Sequence, residues 1–271
     1  MDISTDSVAY IITQGRHGGR TWKAPNGFGF AAAEHRVELA DAEIVAFAEH
    51  LPFAFYFSEN GWQALGIIGH ELSGNVCVTP EGQWRSGYVP AALRGYPFAI
   101  TEGNEAKLTI DESSGLLLDT YDGNPFFDTS GNLSPLLLKT RAFLIKLREG
   151  RRKLSLAIRE LDKCGLLVPW EKLHAHLNSP NGEPDLCCID ETRFKALSDS
   201  EFLRLRWSNA ISLIYAQLYS QRKLPTLIRL TEAHRHPVGK ATAVVERGNN
   251  QPGNELLTLM TEEMANLGRE A

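Results

Sequence analysis

Two histidines and two cysteines have the residue types and spacing that could bind a metal ion. His174 and His176 lie two apart in a segment predicted as a strand, so their side chains would share one face, and Cys187 or Cys188 would lie on the partner strand. A His/His/Cys set is one kind of zinc site, but zinc needs a third and often a fourth ligand at a plausible distance. The sequence does not place one, so we predict no metal.

Other motifs for catalysis or cofactor binding are absent from the sequence. It contains no glycine-rich phosphate loop, no G-x-S-x-G elbow and no H-E-x-x-H pair. The four cysteines, which include Cys77 and Cys164, lack the two-residue gap of a zinc or redox pair, so we expect reduced, inert thiols. Asp119, Asp122 and Asp128 lack the spacing of a calcium loop and are expected to bond their own backbone in turns. We therefore predict no cofactor.

Aromatic residues around Arg94 are the first candidate for a binding surface. Trp84, Tyr88, Tyr96 and Phe98 surround this arginine in the sequence. Such side chains dominate recognition surfaces, so they could form a groove that grips an anionic group. They could equally form a core from which the arginine reaches water, stacks on a ring or pairs with a carboxylate. Both interpretations stay open at this point.

Asp190 and Glu191 are the candidates for acid–base chemistry. Two neighbouring carboxyl groups could act as acid and base if they were buried, paired and raised in pKa. The alternative is structural: Asp190 caps a helix that starts at Glu191, because Asp is a preferred N-cap residue.

The first half of the chain, to about residue 130, is predicted to be rich in strands. Extended segments are expected at 28–39, 53–57, 62–69, 75–79, 98–101, 107–111 and 116–118. A short helix is expected over 42–50, with Asp41 as its N-cap and Pro52 closing it. Residues 1–26 carry several glycines and one apolar stretch, so they are predicted to be loosely ordered.

The second half is predicted to be rich in helices. One long helix begins at Pro135 and ends at Gly165, either continuous or broken at Gly150. A short β-hairpin is predicted from residues 173–177 and 186–189. A second long helix follows the capping-box pattern at 198–201 and is interrupted at Pro225. Its predicted apolar face comprises Leu203, Trp207, Ala210, Ile214 and Leu218.

Strands followed by helices, rather than alternating with them, indicate an α+β fold. We predict a single domain over residues 27–233. A polar linker and a C-terminal amphipathic helix are predicted to follow over 234–271.

Composition excludes several classes of protein. The chain has 271 residues, of which 43% are hydrophobic and 23% charged, as in a soluble globular protein. The pI near 5.9 supplies no basic footprint for nucleic acid, although residues 1–130 carry a net charge of −10 and the rest +5. No apolar run is long enough to span a membrane, and the start lacks a secretory signal, so we expect a cytoplasmic protein. The basic run 139–153 is either a site for an acidic partner or a solvated helix face.

Several short segments resemble the SapC family and occur in the same order. Residues 84–98, WRSGYVPAALRGYPF, resemble its G-x-W, Y-V-P and R-Y-P-F signature. Further segments are similar to the family's turn before the long helix (123–128 and 131–135), its L-L-x-P-W (166–170), its I-D-E (189–191) and its L-I-Y-A-H-L (213–218). Gln217 stands where the family usually has His, and Gly95 where it usually has a second Arg. Because Gln cannot exchange a proton near neutral pH, the first departure favours binding over catalysis.

The resemblance implies a link to bacterial surface-layer proteins, with no established reaction. We expect a cytoplasmic accessory protein that binds a protein or peptide client, with a link to surface-layer protein export. The alternative is an enzyme of unknown reaction on a peptide or glycan, with Arg94 holding an anionic group and Asp190 or Glu191 as acid or base. The candidate binding residues are Trp84, Tyr88, Arg94, Tyr96, Phe98, Asp190, Glu191, Tyr215 and Gln217.

Overall fold

The computed structural model describes residues 9–103, 105–177 and 185–235. Within these ranges the strands are β1 Ala9–Ile11, β2 Thr21–Trp22, β3 Arg36–Glu38, β4 Phe53–Ser58, β5 Gly61–Ile67, β6 Gly69–His70, β7 Gly74–Asn75, β8 Phe98–Ile100, β9 Leu108–Asp111, β10 Leu117–Leu118, β11 Asn124–Pro125, β12 Leu167–Pro169 and β13 Cys187–Ile189. The helices are α1 Gln14–His17, α2 Ile44–Ala48, α3 Ala91–Arg94, α4 Pro135–Lys163, α5 Glu171–Leu177, α6 Glu191–Lys195, α7 Asp199–Trp207, α8 Ala210–Gln221 and α9 Leu224–Arg235. The α+β class is confirmed, with strands clustered early in the chain and helices late.

The chain divides into two compact units that interleave in sequence. Among the described residues, the first unit holds 9–30 and 92–147, and the second holds 31–91 and 148–235. The dividing points differ from the predicted boundaries at 26 and 233. The predicted linker and last helix, from residue 236 onward, lie outside the described residues, as does the turn expected in the hairpin.

The first unit contains two three-stranded antiparallel sheets. One has the order β1-β9-β8, and the other places β2 between β10 and β11. Trp22 of β2 is buried and meets the ring of Phe98 edge-on at 4.7 Å between centroids. The prediction that residues 1–26 are loose is therefore wrong for 9–26, because two strands of this segment pair with strands about 100 residues later in the chain.

The second unit is built on a five-stranded antiparallel sheet of order β12-β13-β4-β5-β3. The β4–β5 hairpin runs in register from Phe53 opposite Gly66 to Ser58 opposite Gly61. The sequence Glu59-Asn60-Gly61 predicts a turn here, and residues 59 and 60 connect the two strands. A Cβ on Gly66 would lie 2.5 Å from the ring of Phe47 in α2. The glycine therefore lets α2 pack closely on this sheet.

Helix α4 is continuous through Gly150. A Cβ at this position would lie 2.6 Å from Oδ1 of Asp41 and 3.0 Å from Cβ of Ala40. Glycine costs helix propensity here but allows the chain before α2 to approach the helix closely. Gly165 follows the helix with a φ of 62°, a conformation that glycine adopts without strain.

The predicted strand over 173–177 is wrong, because this segment forms α5. Leu173 and Leu177 lie four residues apart and are both buried, so the helical period decides the structure. Strand β13 pairs with β12 instead, with Val168 opposite Cys188. His174 and His176 consequently lie on a helix and do not share the face of a strand.

The second long helix is broken into α7 and α8. Its predicted start is confirmed: the Ser198 amide donates to the Glu201 carboxylate at 2.9 Å, and the Ser198 hydroxyl accepts from the Glu201 amide at 3.4 Å. Asn209 has a φ of 56°, a left-handed conformation that asparagine tolerates, and this residue separates the two helices. Trp207 is therefore 84% exposed and not part of an apolar face. Pro225 lies at the start of α9.

Candidate functional site

A cleft of about 960 Å³ in the second unit runs beside α8, and we call it the α8 cleft. Strands β12 and β13 and helices α6 and α9 supply its other sides. It is lined by Val168, Trp170, Lys172, Ile189, Asp190, Glu191, Tyr215, Leu218, Tyr219, Gln221, Arg222, Leu224, Pro225 and Ile228.

Two tyrosines form the aromatic part of the α8 cleft. Tyr215 and Tyr219 lie four residues apart on α8, so they share one face of the helix, and they are 59% and 48% exposed. The ring of Phe194 in α6 meets the Tyr215 ring edge-on at 5.7 Å, and the Lys223 ammonium lies 5.0 Å from the Tyr219 ring centroid. Both rings are thus held in place while much of their surface faces solvent.

The same cleft is bordered by charges of both signs. Lys172 and Arg222 supply cations, and Asp190 and Glu191 supply carboxylates. Protein interfaces are enriched in aromatic residues and arginine and have a polar rim.

Gln217 lies behind the tyrosines and is completely buried. Its Oε1 accepts from the Ile189 amide at 3.0 Å and from Nε2 of Gln221 at 2.9 Å. Its Nε2 donates to the Phe53 carbonyl at 3.1 Å. The side chain therefore ties α8 to β13 and to the start of β4. Gln217 therefore has a positional role through its hydrogen bonds.

Asp190 is the N-cap of α6. Its Oδ1 accepts from the Thr192 and Arg193 amides at 2.9 and 3.2 Å. Glu191 is paired with Lys195 at 2.7 Å, and its side chain is 59% exposed. The hydrogen bond from Lys195 lowers the pKa of Glu191. The enzyme hypothesis required buried carboxyl groups with a raised pKa, and Glu191 does not meet that condition.

Trp84 and Tyr88 lie in the second unit, where Tyr88 contacts a buried carboxylate, Glu43. The Trp84 indole donates to the Tyr88 carbonyl at 2.8 Å. Glu43 accepts from the Tyr88 hydroxyl at 3.2 Å, from the Ala91 amide at 2.7 Å and from the Ala40 amide at 2.9 Å. This carboxylate therefore fixes the Y-V-P segment of the motif to the start of α2.

Arg94, Tyr96 and Phe98 belong to the first unit. Arg94 is 4% exposed, and its guanidinium carbon lies 5.8 Å from the Phe143 ring centroid. Tyr96 stacks on Phe30 at 4.1 Å, and burial raises the pKa of its phenol. Because Arg94 is buried, the residues around it are better interpreted as part of a core than as an open groove that binds an anionic group.

Of the nine candidate binding residues, Asp190, Glu191 and Tyr215 come together at the α8 cleft. Gln217 supports it from beneath, and the other five do not line it. Tyr219 and Arg222 also line the cleft and were not among the candidate residues. The signal was available, because a tyrosine four residues after Tyr215 falls on the same face of a helix. Glu43 was also missed, since nothing in the sequence shows that it is buried.

Three of the four cysteines have thiols whose pKa is raised by burial. Burial raises the pKa of the Cys77 and Cys188 thiols to about 12 and also raises that of Cys187, so these thiols are poor nucleophiles. His174 accepts a hydrogen bond from the Leu186 amide through Nε2 at 3.1 Å. Across the described ranges, no three His, Cys, Asp or Glu side chains converge to hold a metal ion.

Several residues of the basic run 139–153 contribute to structure, among them Arg141 and Arg151. Within the first unit, Arg141 Nε donates to the Ala106 carbonyl at 2.8 Å. Within the second, Arg151 pairs with Glu38 at 3.2 Å. Lys139 and Lys146 are exposed.

A smaller groove continues from the α8 cleft toward α2. It is lined by Val45, Ala48, Glu49, His50, Tyr215, Ala216 and Tyr219, so the two tyrosines border both depressions. Val45 is 59% exposed. The exposed apolar surface of this unit therefore extends across α8 and α2.

Comparisons with known proteins identify one family. The SapC family model matches residues 12–227, which include all nine candidate binding residues. Searches of curated proteins and of solved structures found no match. Among the helices that the structure describes, none combines the length and the apolar character that a bilayer crossing requires.

Proposed function

The chain belongs to the SapC family, and we propose that it is an accessory protein that binds a polypeptide client at the α8 cleft. The observation that carries the proposal is the pair Tyr215 and Tyr219, which project side by side from a well-packed helix. Exposed apolar patches on a monomeric surface mark interaction sites, and tyrosine is enriched among residues that dominate binding energy.

The shape of the surface favours a polypeptide over a small molecule. The α8 cleft is open and continues into the groove beside α2, so the exposed apolar surface is elongated. Helix α8 has 12 residues, which corresponds to about 18 Å. An extended or helical segment could contact both tyrosines along this length.

The lining supports binding more than it supports catalysis. Asp190 is used as a helix cap, and Glu191 is paired with Lys195 in solvent. Glu191 in particular lacks the buried environment that raises the pKa of an acid catalyst. We further propose that the client is a surface-layer protein or another exported protein, as the family resemblance implies, and that binding occurs in the cytoplasm.

The experiment compares capture by the wild type with capture by a double variant, Tyr215→Ser/Tyr219→Ser. Each tagged protein is incubated with lysate of the native organism, and the bound proteins are quantified by mass spectrometry. The expected result is a specific protein that the double variant captures at least tenfold less. Tyr121→Ser is the matched control, because Tyr121 is 88% exposed in the first unit.

Melting temperatures of all three proteins show whether the variants are folded. The proposal is contradicted if the wild type captures no specific protein. It is also contradicted if a folded double variant captures the same proteins in the same amounts.

A further inference from the structure

A second groove in the same unit has apolar and basic lining, and we call it the α4 groove. Its volume is about 860 Å³, and it lies between the second half of α4, helix α2 and the junction of α7 with α8. We propose that the α4 groove binds an acidic amphipathic helix of the client. This proposal rests on the proposed function, because the helix is taken to belong to the client that binds the α8 cleft.

Three exposed apolar side chains border the α4 groove. Trp207 is 84% exposed, Val45 59% and Leu156 54%, while Leu154 and Leu213 are buried beneath them. Trp207 lies at the rim because the left-handed Asn209 ends the helical path directly after α7. Tryptophan is the residue most enriched at binding hot spots, and its exposure leaves a large apolar surface for a partner to cover.

The groove has the form that accepts a helix. On α4 its lining comprises residues 153, 154, 156, 157, 159, 160 and 163, which recur with the period of the helix and so form one broad stripe. Ten residues of helix correspond to about 15 Å, or nearly three turns. This stripe on α4 is faced by a second wall from α7 and α8. Grooves of this kind bind an amphipathic helix by its apolar face. The occupant should therefore present about three turns.

The charges of the groove select an acidic occupant. Lys153 lies toward one end of the α4 stripe and Lys163 at the other, with Arg159 between them. Arg204 from α7 adds a fourth cation near the Lys163 end, where it also contacts the Cys164 sulfur at 3.0 Å.

Two carboxylates offset part of this positive charge. Asp41 lies 3.7 Å from Lys153, and Glu160 lies 2.6 Å from Lys163 and 3.7 Å from Arg204. Four cations against two carboxylates leave the groove positive. An occupant with an apolar stripe and carboxylates toward both ends complements it.

An anionic membrane surface, like an acidic amphipathic helix, presents negative charge beside apolar groups. The shape of the groove favours the helix. Leu154 and Leu213 form a buried floor that a flat bilayer cannot reach, whereas the side chains of a helix can. The two partners can be separated experimentally because Trp207 reports on the rim of the groove.

The probe is a 14-residue acetylated and amidated alanine-based peptide with leucines on one face and glutamates toward both ends. The matched peptide has lysine in place of each glutamate. Calorimetry gives Kd, and tryptophan emission shows where binding occurs. The expected results are a Kd at least tenfold lower for the glutamate peptide and a blue shift that Trp207→Phe abolishes.

Charge reversal in the groove tests the cations directly. Arg159→Glu/Lys163→Glu should raise the Kd of the glutamate peptide at least tenfold. Lys139→Glu/Lys146→Glu makes the same change of charge at exposed positions in the first half of α4, outside the groove, and should change Kd less than twofold.

Three outcomes overturn the proposal: no binding of the glutamate peptide, equal binding of both peptides, or a Trp207 shift only with phosphatidylglycerol vesicles. Its failure is distinguishable from failure of the α8 cleft. Tyr215→Ser/Tyr219→Ser should keep the peptide Kd while losing capture of the client. If the wild type captures the client but does not bind the glutamate peptide, the α4 groove alone is rejected.

Discussion

Replacing Gln217 tests the packing that supports the α8 cleft. Gln217→Leu keeps a side chain of similar size but removes the amide. The Ile189 N–H and the Phe53 carbonyl then lose their bonds to Gln217 in a buried region. A buried polar group without a partner costs about 1–3 kcal/mol, so two such groups predict a loss of about 2–6 kcal/mol in the free energy of unfolding. That loss is large compared with the total stability of a typical domain.

The assay is urea unfolding followed by circular dichroism, combined with hydrogen exchange of the segment that contains Ile189. We expect a lower unfolding midpoint and faster exchange of the Ile189 amide. Tyr219→Leu is the control on the same helix. Its side chain is about half exposed, so its cost should be under about 0.5 kcal/mol.

A second variant, Gln217→His, tests whether hydrogen bonding is the cause. A neutral imidazole offers one donor and one acceptor, enough for one backbone N–H and one carbonyl. It should recover at least half of the stability that the leucine variant loses. A loss below about 1 kcal/mol in Gln217→Leu, with unchanged exchange at Ile189, would refute the reasoning.

Four further predictions concern stability. Burial lowers the pKa of His35 to about 4, so the unfolded chain binds more protons than the folded chain between pH 6.5 and 4. This contribution to stability is full above about pH 6.5, and urea titrations should show a loss of roughly 2 kcal/mol from pH 7 to 5. The loss should be smaller in His35→Gln. Gly66→Ala places a Cβ against Phe47 and should cost about 1–3 kcal/mol, with no measurable cost arguing against this close packing. Arg94→Ala should lower the melting temperature while leaving client capture per folded molecule unchanged, and Arg94→Lys should not restore a stacked contact; a wild-type melting temperature in both variants would reject the structural role. Asp190→Ala removes the cap of α6 and should cost about 1 kcal/mol, whereas Asp190→Asn should be nearly neutral by the same unfolding measurement.

Local signals in the sequence located several elements correctly. The Ser198/Glu201 capping box, the proline that starts α4 and the Asp190 cap all act within a few residues of chain. The two-residue turn of the β4–β5 hairpin is equally local. Each depends on hydrogen bonds or steric limits between neighbours, so the sequence carries the information directly.

The errors arose where distant residues decide the outcome. In residues 173–177 apolar side chains alternate with histidines, which suggests a strand. The segment is nevertheless a helix, in which Leu173 and Leu177 are both buried. Residues 9–26 look loose because their strands find partners about 100 positions away. The spacing of Trp207 fits the apolar face of one continuous helix. The left-handed Asn209, two residues later, instead separates α7 from α8.

The sequence by itself determined the α+β class, the family resemblance and the starts of α4, α6 and α7, because these follow from composition, short motifs and local capping. Only the tertiary structure decided which candidate residues share a surface. Gln217 and Tyr215 are two residues apart on α8, but one is buried against the backbone of two strands and the other faces solvent beside Tyr219. That difference depends on which face of α8 packs on the sheet, and packing involves segments more than 160 residues apart in the chain.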